Sequence, residues 1–143
     1  MTVARILAEK GREVLTTQPH RTLKEVAAQL AAKGVGAVVV SDATNAVLGI
    51  VSERDVVRAI GAGPMSVLEE PVSRHMTAKV TIVDERATID QVMALMTEGR
   101  FRHMPVVENG RLVGIVSIGD VVKRHVNALD SERRALRDYI ATA

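Results

Sequence analysis

Two serines and two aspartates recur at one spacing, Ser52-x-x-Asp55 and Ser117-x-x-Asp120, and each pair follows a Gly-Ile-Val run. A short aspartate at the mouth of a helix can accept two hydrogen bonds from a vicinal diol such as a ribose. A serine hydroxyl beside free helix amides suits a phosphate. The same pattern is also a capping box, which satisfies orphan amides and complements the helix dipole. Capping is the commoner role at helix starts, so the residues carry both readings at this point. Two features favour a ligand. Gly49 and Gly114 mark a close approach of backbone or ligand. The other boxes, Thr22 to Glu25 and Thr88 to Gln91, close with longer side chains that fold back on the backbone, whereas the short Asp55 and Asp120 could instead turn to a ligand.

These residues belong to a duplication. Gly49 to Val57 returns sixty-five residues later as Gly114 to Val122, with seven of nine positions identical. Farther upstream, Thr22-Leu23-Lys24-Glu25-Val26-Ala27 aligns with Thr88-Ile89-Asp90-Gln91-Val92-Met93 at an offset of sixty-six. Each copy predicts a β-rich run (Val14 to Thr16, Val80 to Val83) and a capped helix whose apolar residues share one face. A strand (Ala37 to Ser41, Met104 to Val107), a turn, a second strand (Val47 to Val51, Leu112 to Val116) and another helix follow. The order β-α-β-β-α occurs twice, an α+β fold. The expected organisation is an N-terminal helix over 1–12, repeats over 13–61 and 79–127, a short linker over 62–78 and a C-terminal helix over 128–143. The two terminal helices are candidates for dimer contacts or a partner surface.

The chain has 143 residues, 47% of them hydrophobic, enough for one compact core or two small halves that share one. No cysteine is present, which excludes thiol catalysis, disulfides and cysteine-based zinc sites. Nineteen Lys and Arg stand against seventeen acidic residues, a balance that does not suggest a nucleic-acid protein. Phe101 and Tyr139 are the only residues of the Phe, Tyr and Trp class, too few for a groove of stacking platforms. No stretch approaches a signal peptide or a membrane span, and a soluble cytoplasmic protein is expected. His75-Met76 and His103-Met104 find no third metal ligand nearby, and both methionines read as core.

Met104-Pro105-Val106-Val107, Asn109-Gly110 and Gly114 to Asp120 resemble the sequence pattern of CBS domains, the cystathionine β-synthase type of motif. Val38-Val39-Val40 and Gly49 to Asp55 carry it again without the proline. The resemblance covers nearly the whole chain and implies a pseudo-twofold Bateman module. It further implies regulation by an adenosine-containing ligand, such as AMP, ADP, ATP, NAD(H) or S-adenosylmethionine, in clefts between the halves, with energy sensing as the role and no metal required. By the same resemblance Asp55 and Asp120 hold ribose hydroxyls, Ser52 and Ser117 lie near phosphate, and Ile50 and Ile115 belong to the same motif. Arg102 and His103 supply phosphate contacts. Thr17, Val35 and Gly36 grip the adenine of the Asp120 site, and Thr81, Phe101 and Arg102 that of the Asp55 site.

Where the second copy has Arg100-Phe101-Arg102-His103, the first has Gly34-Val35-Gly36-Ala37, without a cation. The expectation is therefore that Asp120 marks the tighter site for charged nucleotides, while the Asp55 cleft relies on Arg54 or reaches across. No nucleophile with its base, paired carboxylates, P-loop or Rossmann fingerprint is present, so no enzyme is expected. The leading expectation is a regulatory protein, homodimeric, with an unidentified effector protein as a further partner. Two alternatives remain: an interaction scaffold with vestigial clefts, and, last, an RNA- or DNA-binding module using Lys123-Arg124-His125 with Arg133, Arg134 and Arg137.

Overall fold

The computed structural model describes residues 1–142. Its elements run α1 (Val3–Lys10), β1 (Thr16–Thr17), α2 (Leu23–Lys33), β2 (Ala37–Ser41), β3 (Val47–Ser52), α3 (Glu53–Ala62), two short 3-10 turns (Met65–Glu69 and Val72–Arg74), α4 (Ile89–Gly99), β4 (His103–Glu108), β5 (Arg111–Ser117) and α5 (Ile118–Thr142). In the first half β1 lies parallel to β2, and β2 antiparallel to β3. The second half has the β4–β5 antiparallel pair.

The strand expected over Val80 to Val83 is reduced to one parallel bridge, Val83 to Val106. Pro105 is the reason. In the first half the Val39 amide donates to Leu15 O at 3.0 Å. Its counterpart in the second half is Pro105, which has no N–H to give. Only the bonds through Val83 survive, from its amide to Pro105 O (3.2 Å) and from the Val107 amide to its carbonyl (2.8 Å). The first expected strand also shifts, from Val14–Thr16 to Thr16–Thr17.

Each half has its own core, and each core borrows from the segment that precedes the other half. Leu23, Val26, Leu30, Val38, Val40, Val51 and Val56 pack with Val67 and Val72 of the linker. Ile89, Val92, Met96, Met104, Val106, Val116 and Val121 pack with Val3, Ile6 and Leu7 of α1. Backbone bonds repeat the exchange: Val3 and Ala4 donate to Ala87 O and Glu85 O (2.8 and 2.9 Å), and Val72 donates to Arg21 O (2.7 Å). The two halves are laced together, and the linker is part of a core.

The glycines ahead of the Ile-Val-Ser runs are required by this exchange. A methyl at Gly114 would stand 2.7 Å from both terminal carbons of Leu7. One at Gly49 would stand 2.5 Å from Met76 Sδ and 2.9 Å from Thr77 O. The close approach is therefore by the chain itself. Met76 packs against the first core and Met104 is fully buried, as core methionines. The C-terminal helix expected over 128–143 is not separate: it continues the last helix of the second repeat as α5, and Ala143 lies outside the described residues.

Candidate ligand-binding site

Ser52 closes β3 and caps α3. Its backbone amide and hydroxyl donate to Asp55 Oδ2 at 2.8 and 3.0 Å, and its Oγ accepts the Asp55 amide at 3.4 Å. Ser117 and Asp120 repeat the box at the start of α5, with 2.9 Å from the Ser117 amide to Asp120 Oδ2 and 3.2 Å from the Asp120 amide to Ser117 Oγ. The aspartates fold back on the backbone, as the capping reading has it, so their length does not set them apart from Gln91. Glu25 is the acid that does not: Thr22 Oγ1 accepts its amide at 3.1 Å, while its carboxylate meets Arg21 at 3.4 Å. Both aspartates spend Oδ2 on the cap, so any donor to Oδ1 would be additional to it.

Around Asp55 lies a cleft of about 700 Å³, open to solvent and within the roughly 300–1,000 Å³ of small-ligand clefts. Ile50, Ser52, Arg54, Asp55, Arg58 and Gly36 line it from the first half, and Lys79, Thr81 and the run Arg100 to His103 from the second. Of the two expected sources of charge for this cleft, Arg54 and cations reaching across, both are present, and the phosphate cations given to the Asp120 side line it. Arg102 and His103 line the Asp55 cleft, where Arg54, Arg58, Lys79, Arg100 and Arg102 face Glu53 and Asp55. The two halves meet here, so cations that precede β4 reach the helix start of the first copy. Lys79 and Arg58 are the members that the repeat alignment missed, because neither stands in the motif.

His103 is not one of the cations. Burial, helped by Lys10 and Arg102 and opposed by Glu53 and Asp120, holds its imidazole below the ordinary value of 6.5, so it is neutral at neutral pH. Its ring lies against Gly36, where an added methyl would meet Cε1 and Nε2 at 3.3 Å and Glu53 Oε1 at 3.4 Å. Gly36 thus lines the Asp55 cleft, whereas the resemblance had given it to the Asp120 site. Thr17 is buried and lines a separate polar hollow of about 550 Å³ with Arg21, Gln29 and Asp42. Val35 is exposed and is not among the residues of either hollow. Phe101 reaches the cleft with its ring packed over Gly99 and the second core.

Asp120 has an occupant already. Lys10 Nζ donates to Asp120 Oδ2 at 2.7 Å and to Ile115 O at 2.9 Å. Burial works to raise this carboxyl's pKa, but the Lys10 and Ser117 hydrogen bonds outweigh it and hold it below the ordinary value. Arg102 touches this half through its backbone, accepting the Ile118 amide at 2.8 Å.

The family model described as CBS domain matches the chain twice, over residues 4–62 and 72–127. The chain belongs to the CBS domain family. A CBS-domain containing protein from Agrobacterium tumefaciens superposes with a TM-score of 0.84 at 49% identity, over 87% of this chain and 99% of that one. The 17.7 kDa protein of the bps2 3' region in Acidianus ambivalens is 34% identical over 82% of this chain and 73% of its own length. A CBS domain protein from Pyrobaculum aerophilum, solved in complex with AMP, gives a TM-score of 0.75 at 28% identity, over 84% of this chain and 89% of that one. The chain also spans 19% of the length of larger CBS domain-containing proteins of Arabidopsis thaliana. Among the described residues no helix is long and apolar enough to cross a membrane. As a CBS pair, the chain has its two motif aspartates in unlike surroundings, one beside a cationic cleft and one held by Lys10.

Proposed function

We propose that this CBS pair is a non-catalytic regulatory protein that binds an adenosine nucleotide in the Asp55 cleft and presents the resulting change to an effector protein. One observation carries the reading: the cleft that holds the Ser52–Asp55 box is also lined by five Arg and Lys residues from both halves. Asp55 Oδ1 accepts ribose hydroxyls, and Arg54, Arg58, Lys79, Arg100 and Arg102 meet the phosphates by charge-assisted bonds. The AMP complex of the Pyrobaculum aerophilum relative supports the ligand class. The excess of cations favours the more highly phosphorylated members, ATP and ADP, over AMP, and disfavours the cationic S-adenosylmethionine. The functional repeats are 13–61 and 79–127, with the ligand drawing on both.

Calorimetric titration tests this. ATP and ADP should bind more tightly than AMP, and Asp55→Ala should weaken ADP binding by about 1.5–3 kcal/mol, the range for a hydrogen bond to a charged group. Unchanged affinity in that variant would remove Asp55 from the site.

Association into a homodimer belongs to the same proposal. Val122, Val126, Leu129, Leu136 and Ile140 are exposed along α5 and form an apolar stripe that a second copy would cover. Nucleic acid is disfavoured by the pairing of the basic residues: Arg124 bonds Glu9 at 3.1 Å, and Arg134 bonds Asp130 at 3.2 Å.

A further inference from the structure

The two halves differ in what meets the isoleucine carbonyl behind each aspartate. In the first half the Thr77 amide donates to Ile50 O at 2.9 Å, a backbone bond within the chain's own lacing. In the second half a side chain takes that place: Lys10 Nζ donates to Ile115 O at 2.9 Å and, with the same ammonium, to Asp120 Oδ2 at 2.7 Å. Asp55 takes its cap bonds from Ser52 alone, whereas Asp120 adds a full positive charge to its own. Lys10 is the last residue of α1 and is held on target. Leu7, one turn earlier, is buried against Gly114, and Glu9 bonds Arg124 on α5. The pair is largely sheltered, with 27% and 20% of the two side chains exposed, so solvent competes weakly with it.

We propose that Lys10 is a tethered competitor for ligand at the second half, and the residue that makes the two halves unequal in capacity. The inference rests on the nucleotide reading above. A ribose diol and the ammonium are both donors that seek the Asp120 carboxylate, and a nucleoside there would meet an ammonium already seated on it. While Lys10 is seated, the Asp120 half is closed to a nucleoside and the Asp55 cleft is the one that fills. A ligand enters the second half only as Lys10 leaves, which removes one of the two side-chain ties between the end of α1 and α5 and leaves the Glu9–Arg124 bond. The lysine stands outside both repeats, where no comparison of the copies would point to it.

The test is the stoichiometry of ADP binding to the full chain and to Lys10→Met, which keeps the aliphatic stem and removes the donor. The wild-type chain should take one ADP. The variant should take two, with the affinity of the first site within about twofold of wild type, as for separate sites. Two equal sites in the wild-type chain, or one site in a folded variant, would overturn the proposal. Acetylation by acetic anhydride, followed by mass spectrometry without nucleotide, reads the latch directly. Lys10 should react more slowly than the exposed Lys24 and Lys33, and faster once Asp120→Asn removes its partner. Equal reactivity of the three lysines in the wild-type chain overturns the latch whatever ADP does. Slow labelling with no ADP bound by either protein overturns the nucleotide reading instead, and leaves the ion pair structural.

Discussion

Arg100 holds φ 56° at the left-handed C-cap of α4, where the first half has Gly34 at φ 62°. A side chain with a Cβ pays for that conformation, roughly 1 kcal/mol or more, and glycine does not. Strain of this kind persists where the surroundings gain from it, and here the strained residue is one of the cations lining the Asp55 cleft. Arg100→Gly should therefore stabilise the fold by about 0.5–1 kcal/mol in urea unfolding while weakening ATP binding. A variant that gained stability and lost no affinity would mark Arg100 as surface only. His103 makes the opposite kind of contribution, through its protonation. Its folded pKa lies below the unfolded value, so the folded state binds fewer protons just below 6.5. The linked stability is complete above that value and is lost as pH falls through the lower, folded pKa. His103→Gln should flatten the decline of Tm over that acid limb, as measured by circular dichroism, and an unchanged profile would assign the decline to other groups.

The helix starts obey local rules, and the lacing between the halves obeys none that a short window contains. Replacing Gly49 by Ala sets a methyl against the Thr77 carbonyl, a backbone atom that cannot rotate away, whereas at Gly114 the obstacle is the end of a leucine side chain. Overpacking costs about 1–3 kcal/mol, and Gly49→Ala should lie at the upper end with Gly114→Ala below it, as chemical unfolding would show. Equal costs would mean that Leu7 is as immobile as the backbone. The repeat, the helix faces and the caps at Thr22, Ser52, Thr88 and Ser117 were legible because each is set by residues three or four apart. Three features were not. The fate of Val80 to Ile82 depended on a missing N–H at Pro105, more than twenty residues away. The destination of α1 depended on a core in the other half, and an apolar helix face does not name its partner. For the same reason the sequence placed Arg102 at both sites and gave the phosphate contacts of Arg102 and His103 to their own copy's aspartate. Packing of the two halves against each other brings these residues to the other copy's cleft, a relation that the repeat alignment alone does not give.

At the scale of the molecule, the Asp55 cleft takes residues from both halves, so ligand and lacing act on the same relative placement of the two units. Ligand at a hundredfold excess over its Kd should add about 2.7 kcal/mol to stability. Such a ligand transmits a signal only if two arrangements differ in their affinity for it. The surface best placed to pass that difference on is α5, whose 25 residues outrun the body of the fold. Val122, Leu129 and Leu136 stand seven residues apart, with Val126 and Ile140 on the adjoining line, and all five are exposed. This is the a/d pattern of a helix that pairs with another helix, interrupted once by Arg133. A polar residue at such a position lowers stability and selects register, which suits a pairing that must be specific. The occupant consistent with the pattern is α5 of a second copy, since Glu132 and Arg137 fall on the flanking positions that meet across a parallel pair. Sedimentation of the wild-type chain should give a dimer, and Leu129→Glu with Leu136→Glu should give a folded monomer, because two like charges per copy would be buried at the seam. A wild-type monomer at all concentrations would refute self-pairing. A dimer that survives both glutamates would place the interface elsewhere, with the exposed Val57 and Ile60 of α3 as the next surface to alter.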